Sequence, residues 1–354
     1  MTDMVEYKCL ACGGKLEFDS ASQKMKCPFC DSMFDISELT DAHATQSDGT
    51  AEWAANAMQG HGDEMAGMNI YKCQSCGGEI IVDATTSASS CPYCDNPVVM
   101  TGAFTGGHKP DIVIPFKLDK KAAKNAFVGH FKGKRFLPKA FKSDNRIDEI
   151  KGVYVPVWLF DAEISANFTY TGEKEKKWSD EDYEYTETSY YNVERAGDIA
   201  FTNVPVDGST KMDDKMFESI EPFDISQAVD FNPAYLSGYL ADKYDVTSDE
   251  SVGRVDERME ASTEQRFRNT VKGYNSVSTD SKNIHFNNHK VRYALYPVWL
   301  LNISWEGKKF HFGMNGQSGR FVGNLPIDKK IAFGYFGGIM AAVTAVSMLL
   351  MTIF

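Results

Sequence analysis

Eight cysteines occur in this 354-residue chain, and all of them fall in four C-x2-C pairs: Cys9/Cys12, Cys27/Cys30, Cys73/Cys76 and Cys91/Cys94. A C-x2-C turn offers two thiolates from one tight knuckle, and two knuckles make a closed tetrahedral site of the kind that suits Zn2+. Gly13 and Gly14 follow the first pair, and Gly77 and Gly78 follow the third. They supply the freedom a sharp knuckle needs and let backbone amides approach the sulfurs. The spacing therefore predicts two structural zinc ions, one on Cys9, Cys12, Cys27 and Cys30 and one on Cys73, Cys76, Cys91 and Cys94. Four thiolates leave no open position for water, so neither ion is expected to be catalytic. A ribbon of about 30 residues is too small to fold on its own apolar core, and metal binding must supply the folding energy.

The competing chemistry is redox. Cys-Pro-Phe-Cys (27–30) and Cys-Pro-Tyr-Cys (91–94) resemble the active-site motif of glutaredoxin-like oxidoreductases. Each, however, has a matching C-x2-C-G-G upstream, whereas a redox pair stands alone between a strand and a helix. In a reducing cytosol, paired cysteines of this kind read as metal ligands and not as disulfides.

The elements that must hold these ligands repeat. YKCLACGGKL (7–16) recurs as YKCQSCGGEI (71–80), and CPFC recurs as CPYC at the same offset. Ribbon 1 is placed at 1–39 and ribbon 2 at 69–105. Between them, 40–68 is rich in Ala, Gly, Asp and Ser and reads as a flexible linker, with AEWAANAM able to form a short helix.

Residues 110–328 are expected to form a mainly-β α+β domain. VYVPVWLF (153–160) matches ALYPVWLL (294–301), each followed by polar–apolar alternation, which predicts strands leading into hairpins and a possible internal duplication. Pro156 and Pro297 cannot donate to a ladder and are expected at an edge, a strand start or a bulge. A helix over 119–131 is predicted with Asp119 as N-cap and Ala123, Ala126, Phe127 and His130 on one stripe. A second is predicted from Ser248 to about 271, capped by Ser248, with Val252, Val255 and Met259 sharing a face.

The formal net charge of −12 argues against a protein that coats nucleic-acid phosphates over its whole surface. One basic segment stands out, 117–142, where lysines and Arg135 alternate with Phe116, Phe127, Phe131, Phe136 and Phe141. Either it binds nucleic acid or anionic lipid, or the phenylalanines enter the core beneath a solvated lysine face; the helical spacing favours the second. The acidic run Asp180, Glu181, Asp182, Glu184 and Glu187 reads as a solvated loop, and His285 and His289 as surface histidines. No nucleophile–base motif, phosphate loop or dinucleotide fingerprint occurs, and the chain is not expected to be an enzyme.

Residues 331–354 contain no charge and as a helix would extend about 36 Å, enough to cross a hydrocarbon core of about 30 Å. Lys329 and Lys330 precede this segment, which places the body in the cytoplasm by the positive-inside bias. The N-terminus, MTDMVEYKC, has no secretory-signal pattern, in keeping with a cytosolic start. Gly334, Gly338 and Ala342 form a small-residue stripe suited to a homodimer contact within the membrane.

The tandem YKC-x2-CGG…CPxC units, the PVWL repeat, FNPAYLSGYLADKYDV (231–246) and GQSGRFVGNLPID (316–328) before a terminal apolar helix together resemble the bacterial TFIIB-type zinc-ribbon membrane proteins of Gram-positive organisms. That resemblance implies partners among SPFH-domain (flotillin-like) and phage-shock-type membrane-stress proteins. The expected function is a membrane-anchored adaptor that recruits or scaffolds cytosolic proteins at the inner membrane face. The alternative is a zinc-ribbon nucleic-acid-binding protein using 117–142.

Overall fold

The computed structural model describes residues 7–41, 68–82, 90–94, 96, 98–103, 108–142, 147 and 149–353. The expected linker falls largely outside these residues, as does the AEWAANAM segment.

A small antiparallel sheet comes first, with strands β1 (Glu17–Asp19), β2 (Lys24–Lys26) and β3 (Met33–Phe34) in that order, followed by helix α1 (Ile36–Asp41). The later strands are β4 (Asn69–Cys73), β5 (Glu79–Val82), β6 (Val98–Ala103), β7 (Ile112–Val113), β8 (Lys151–Ser179), β9 (Glu184–Asp207), β10 (Val229–Asp230), β11 (Leu240–Asp242), β12 (Ser276–Trp305), β13 (Lys308–Asn315) and β14 (Phe321–Gly323). Among them lie α2 (Lys120–Phe131), α3 (Asp214–Ile220) and α4 (Ser248–Arg268), and α5 (Lys329–Ile353) closes the chain. The assembly is mainly β with a few helices.

The chain divides into two compact units. The first comprises the described parts of Met1–Pro156, Ser209–Lys243 and Leu295–Phe354, and its strands follow the order β10-β7-β12-β8-β11-β5-β4-β6, with β13 on β12 and β14 on β13. β11 runs parallel to β8 and antiparallel to β5, so strands of the second cysteine repeat continue directly into the sheet. The sheet is covered by aromatic side chains. Phe116 stacks on Tyr239 at 4.2 Å, and Phe127, Phe131, Phe141 and Phe312 are buried edge to face. Such rings contribute both apolar area and preferred geometry. The phenylalanines of the basic segment therefore do enter the core, apart from half-buried Phe136. α2 starts as expected, with the Asp119 carboxylate accepting from the Ala122 amide at 2.6 Å, and buries Ala123, Phe127 and Phe131.

The second unit comprises Val157–Gly208 and Tyr244–Ala294. There β8 and β9 pair antiparallel from Val157↔Asp207 to Ser179↔Glu184. Alternate residues of β8, namely Ala162, Ile164, Ala166, Phe168 and Tyr170, are buried, and Phe168 meets Phe267 of α4 at 5.0 Å. The buried stripe of α4 is Ser251, Val255, Met259, Thr263 and Phe267, each four residues from the last, while Val252 is exposed. Its N-cap is Thr247, not Ser248. Thr247 accepts from the Glu250 amide and Glu250 accepts from the Thr247 amide, a reciprocal capping box.

Both PVWL segments are buried strands, in β8 and β12, which are neighbours in the sheet order. Pro156 sits within β8, between the residues that pair with β11 (153–154) and those that pair with β9 (from 157). Pro297 precedes the first β12–β13 pair at Val298↔Asn315. Each proline thus stands where the ladder changes partner and no amide is needed. Trp158 donates its indole N–H to the Val246 carbonyl at 2.8 Å, and Trp299 donates its own to the Leu118 carbonyl at 3.0 Å. β12 and β13 are joined by Glu306 and Gly307, both at positive φ, the two-residue turn whose twist matches paired strands.

Candidate metal centres

In each group the four sulfurs lie within 4.8 Å of one another. Cys9 and Cys30 are 3.5 Å apart, Cys12 and Cys27 3.5 Å, Cys73 and Cys94 3.5 Å, and Cys76 and Cys91 3.6 Å. Four sulfurs around a zinc ion at about 2.3 Å stand about 3.8 Å apart, so the donor set and its spacing fit. These near neighbours are cysteines of different pairs, the arrangement a shared ion requires. All eight cysteines are free of disulfides.

The knuckles are fixed by the backbone. Gly13 N–H donates to the Cys9 carbonyl at 2.8 Å and Gly77 N–H to the Cys73 carbonyl at 2.9 Å, with both glycines at positive φ. Asp31 takes the corresponding left-handed position after Cys30, and its amide donates to the Cys27 carbonyl at 2.9 Å. Asp is one of the few residues with a side chain that visits this region readily. Around the sulfurs, Ser32 lies 3.2 Å from Cys30, and Asn96 donates to Cys94 at 3.4 Å. The two sites thus place a polar side chain two residues beyond the last ligand.

Crowded thiols do not ionise alike. The Ser32 hydroxyl, then its amide, hold Cys30 down at about 6. At Cys12 the Gly14 amide pulls the pKa down, but the sulfurs of Cys30 and Cys27 outweigh it and push the thiol up to about 12. Burial raises Cys73, yet the amides of Cys76 and Ser75 bring it to about 7, while burial pushes Cys91 far up. A divalent cation is what allows all four sulfurs of a group to stay deprotonated together.

Both groups are docked on the first unit's body. Around the first, Tyr7 donates to Asn232 Oδ1 at 3.1 Å, the Ser237 hydroxyl donates to the Leu16 carbonyl at 2.7 Å, and Phe18 meets Tyr235 edge to face at 5.1 Å. Residues 232–237 thus serve as the docking strip for the first repeat. Around the second, Lys151 Nζ donates to Ser90 Oγ at 2.7 Å and to the Cys91 carbonyl at 3.0 Å. The buried amide of Asn302 donates to the Pro92 carbonyl at 2.8 Å and accepts from His311 Nδ1 at 2.8 Å. No sequence pattern marks Asn302, because its role depends on a partner 210 residues away.

Among the described residues these two groups are the metal-capable clusters of three or more His, Cys, Asp or Glu side chains. His285 and His289 are both exposed on β12. Among the described residues, neither belongs to a group of three or more metal-capable side chains. α5 is long and apolar enough to cross a membrane, and none of its Lys329–Met348 window is buried. Nothing lies within 4 Å of where a Cβ would stand on Gly334 or Gly338.

No protein-family model matches the chain. No solved structure matches it either. Over 340 residues it is 31% identical to the uncharacterized protein YdjG of Bacillus subtilis (strain 168), an alignment covering 95% of this chain and 94% of that one. With that identity sustained over nearly all of both sequences, the chain belongs to the family of YdjG.

Proposed function

We propose that this protein is a membrane-anchored adaptor in which two structural zinc ribbons and a β-body recruit or scaffold cytosolic proteins at the inner membrane face. The closed four-thiolate geometry favours a building role for the metal over a reactive one. α5 is read as a single membrane span with the body on the cytoplasmic side, because Lys329 and Lys330 lie on its N-terminal flank. The two PVWL strands are read as relics of one duplicated unit, since each carries its proline at a change of ladder partner and its tryptophan in the same indole-to-carbonyl role.

The observation that carries the adaptor reading is the far end of the β8–β9 hairpin. Trp178, Tyr183, Tyr185, Tyr190 and Tyr191 are exposed there, with Trp178 stacked on Tyr185 at 5.6 Å. Clustered exposed aromatics are the usual anchors of protein interfaces. Asp180, Glu181, Asp182, Glu184 and Glu187 lie among them in sequence and outnumber the nearby lysines. Of those lysines, Lys176 sits over Trp178 at 5.6 Å and Lys174 over Tyr191 at 5.2 Å. This acidic excess favours a basic counter-surface. By resemblance, the partners are SPFH-domain or phage-shock-type proteins.

A photo-reactive amino acid in place of Tyr183 tests this in intact cells. Irradiation is expected to give a covalent adduct with such a partner, reduced roughly fivefold or more when Trp178 and Tyr185 are changed to serine. No adduct, or an adduct indifferent to those changes, would remove the hairpin from the interaction and leave the adaptor reading without its support.

A further inference from the structure

We propose that the loop at 132–139, together with the first turns of α5, forms a binding surface for anionic lipid headgroups. This rests on the reading of α5 as a membrane span.

The loop is tied to the base of that helix. The Arg135 guanidinium donates to the Tyr335 hydroxyl at 2.6 Å and lies 5.7 Å from the centre of its ring. The Phe136 ring meets Tyr335 edge to face at 5.6 Å, and the Asp328 amide donates to the Phe136 carbonyl at 2.8 Å. Behind the loop, Phe131, Leu137 and Phe141 are buried, and Gly133 at positive φ makes the turn that follows α2. The loop is therefore held beside the helix from both ends.

Its outward residues are cationic. Lys132, Lys134, Arg135 and Lys139 are exposed, and so are Lys329 and Lys330 of α5. Within 131–139 and 328–335 the one carboxylate is Asp328, which accepts from the Lys330 amide at 2.9 Å as the helix cap. From Lys329 to Tyr335 a helix rises about 9 Å, close to the depth of one headgroup layer. Tyrosine is also a residue type enriched at that boundary, its amphipathic ring at headgroup level. The patch thus meets the bilayer at phosphate depth, where basic residues attract anionic lipids. The whole chain, this basic patch included, carries a net charge of −12, so the remainder is strongly acidic and an anionic surface repels it. Attraction at this one patch and repulsion elsewhere orient the body on the membrane. The same contact disfavours nucleic acid as the occupant, because the patch lies where the bilayer begins.

The test uses the purified full chain in phosphatidylcholine vesicles containing traces of spin-labelled phosphatidylglycerol or spin-labelled phosphatidylcholine. The lipid held motionless by the protein is expected to favour phosphatidylglycerol about threefold, and the preference is expected to fall as salt is raised. A variant with Lys132→Gln, Lys134→Gln and Lys139→Gln, which leaves Arg135 on Tyr335, is expected to bind both lipids equally. Its zinc content and unfolding midpoint check its fold. Should it misfold, the salt dependence of the native chain decides the matter. Extraction of the native chain by alkaline carbonate would overturn the membrane span and this inference with it. A carbonate-resistant chain with no lipid preference, or with a preference that salt or the triple variant leaves unchanged, would overturn the headgroup surface alone. Retention of a short DNA duplex by a chain without lipid preference would assign the patch to nucleic acid.

Discussion

Changing Cys91 to serine is expected to abolish metal binding at the second site and to lower the unfolding midpoint by roughly 10 °C or more, because several kcal/mol of coupled metal binding are lost. The reason is topological. β5 is hydrogen-bonded to β11, Lys151 holds the Ser90–Cys91 backbone, and Asn302 holds the Pro92 carbonyl. Releasing this knuckle frees a sheet strand, strips the buried Asn302 amide of its acceptor and leaves Lys151 without its carbonyl, and a buried polar group without a partner costs about 1–3 kcal/mol. Cys27→Ser is expected to remove one zinc as well but to shift the midpoint far less. The first repeat has its own small sheet, β1-β2-β3, and docks mainly through side chains such as Tyr7 and Phe18. Zinc content and thermal unfolding of the two variants in detergent separate the cases. Equal losses of stability would mean that both repeats belong to one cooperative unit, and an unshifted Cys91 variant would mean that the metal does not support the sheet.

Removing residues 331–354 is expected to move the protein almost wholly from the membrane pellet to the soluble fraction. Phe333, Phe336, Val343, Val346 and Met348 of α5 are all exposed, so the helix has no protein core to return to, and burial in lipid is what its apolar surface favours. The truncated chain is expected to keep both metals, since none of the Lys329–Met348 window is buried in the protein. Fractionation after a high-salt wash reads the outcome. Persistence of the truncated chain in the pellet would assign attachment to another part of the molecule.

Much of this was legible in the residues. The cysteine pairs are local signals with fixed spacing, and the structure brings each group of four together as the repeat demands. α2 with its Asp119 cap and the apolar terminal helix are equally local. The α4 cap was misplaced by one residue because Thr247 and Ser248 are both capable caps, and only the reciprocal bond with Glu250 decides between them. Long-range pairing was not legible. Nothing in YKCQSCGGEI announces that the strand beginning at its end pairs with β11, about 160 residues later in the chain, or that β11 then runs parallel to β8. Pro156 and Pro297 suggested an edge, a strand start or a bulge, and they lie instead inside the long strands β8 and β12, at points where those strands change partner. Asn302 could not be found at all, since an asparagine in an apolar strand declares its role only when the carbonyl it serves is in place.

The most direct test of the account is metal analysis of the purified full chain, combined with alkylation of its thiols under native conditions. Two equivalents of zinc per chain, with all eight cysteines protected until the metal is chelated, is the expected result. One equivalent or less, with cysteines that react freely in the folded protein, would contradict it.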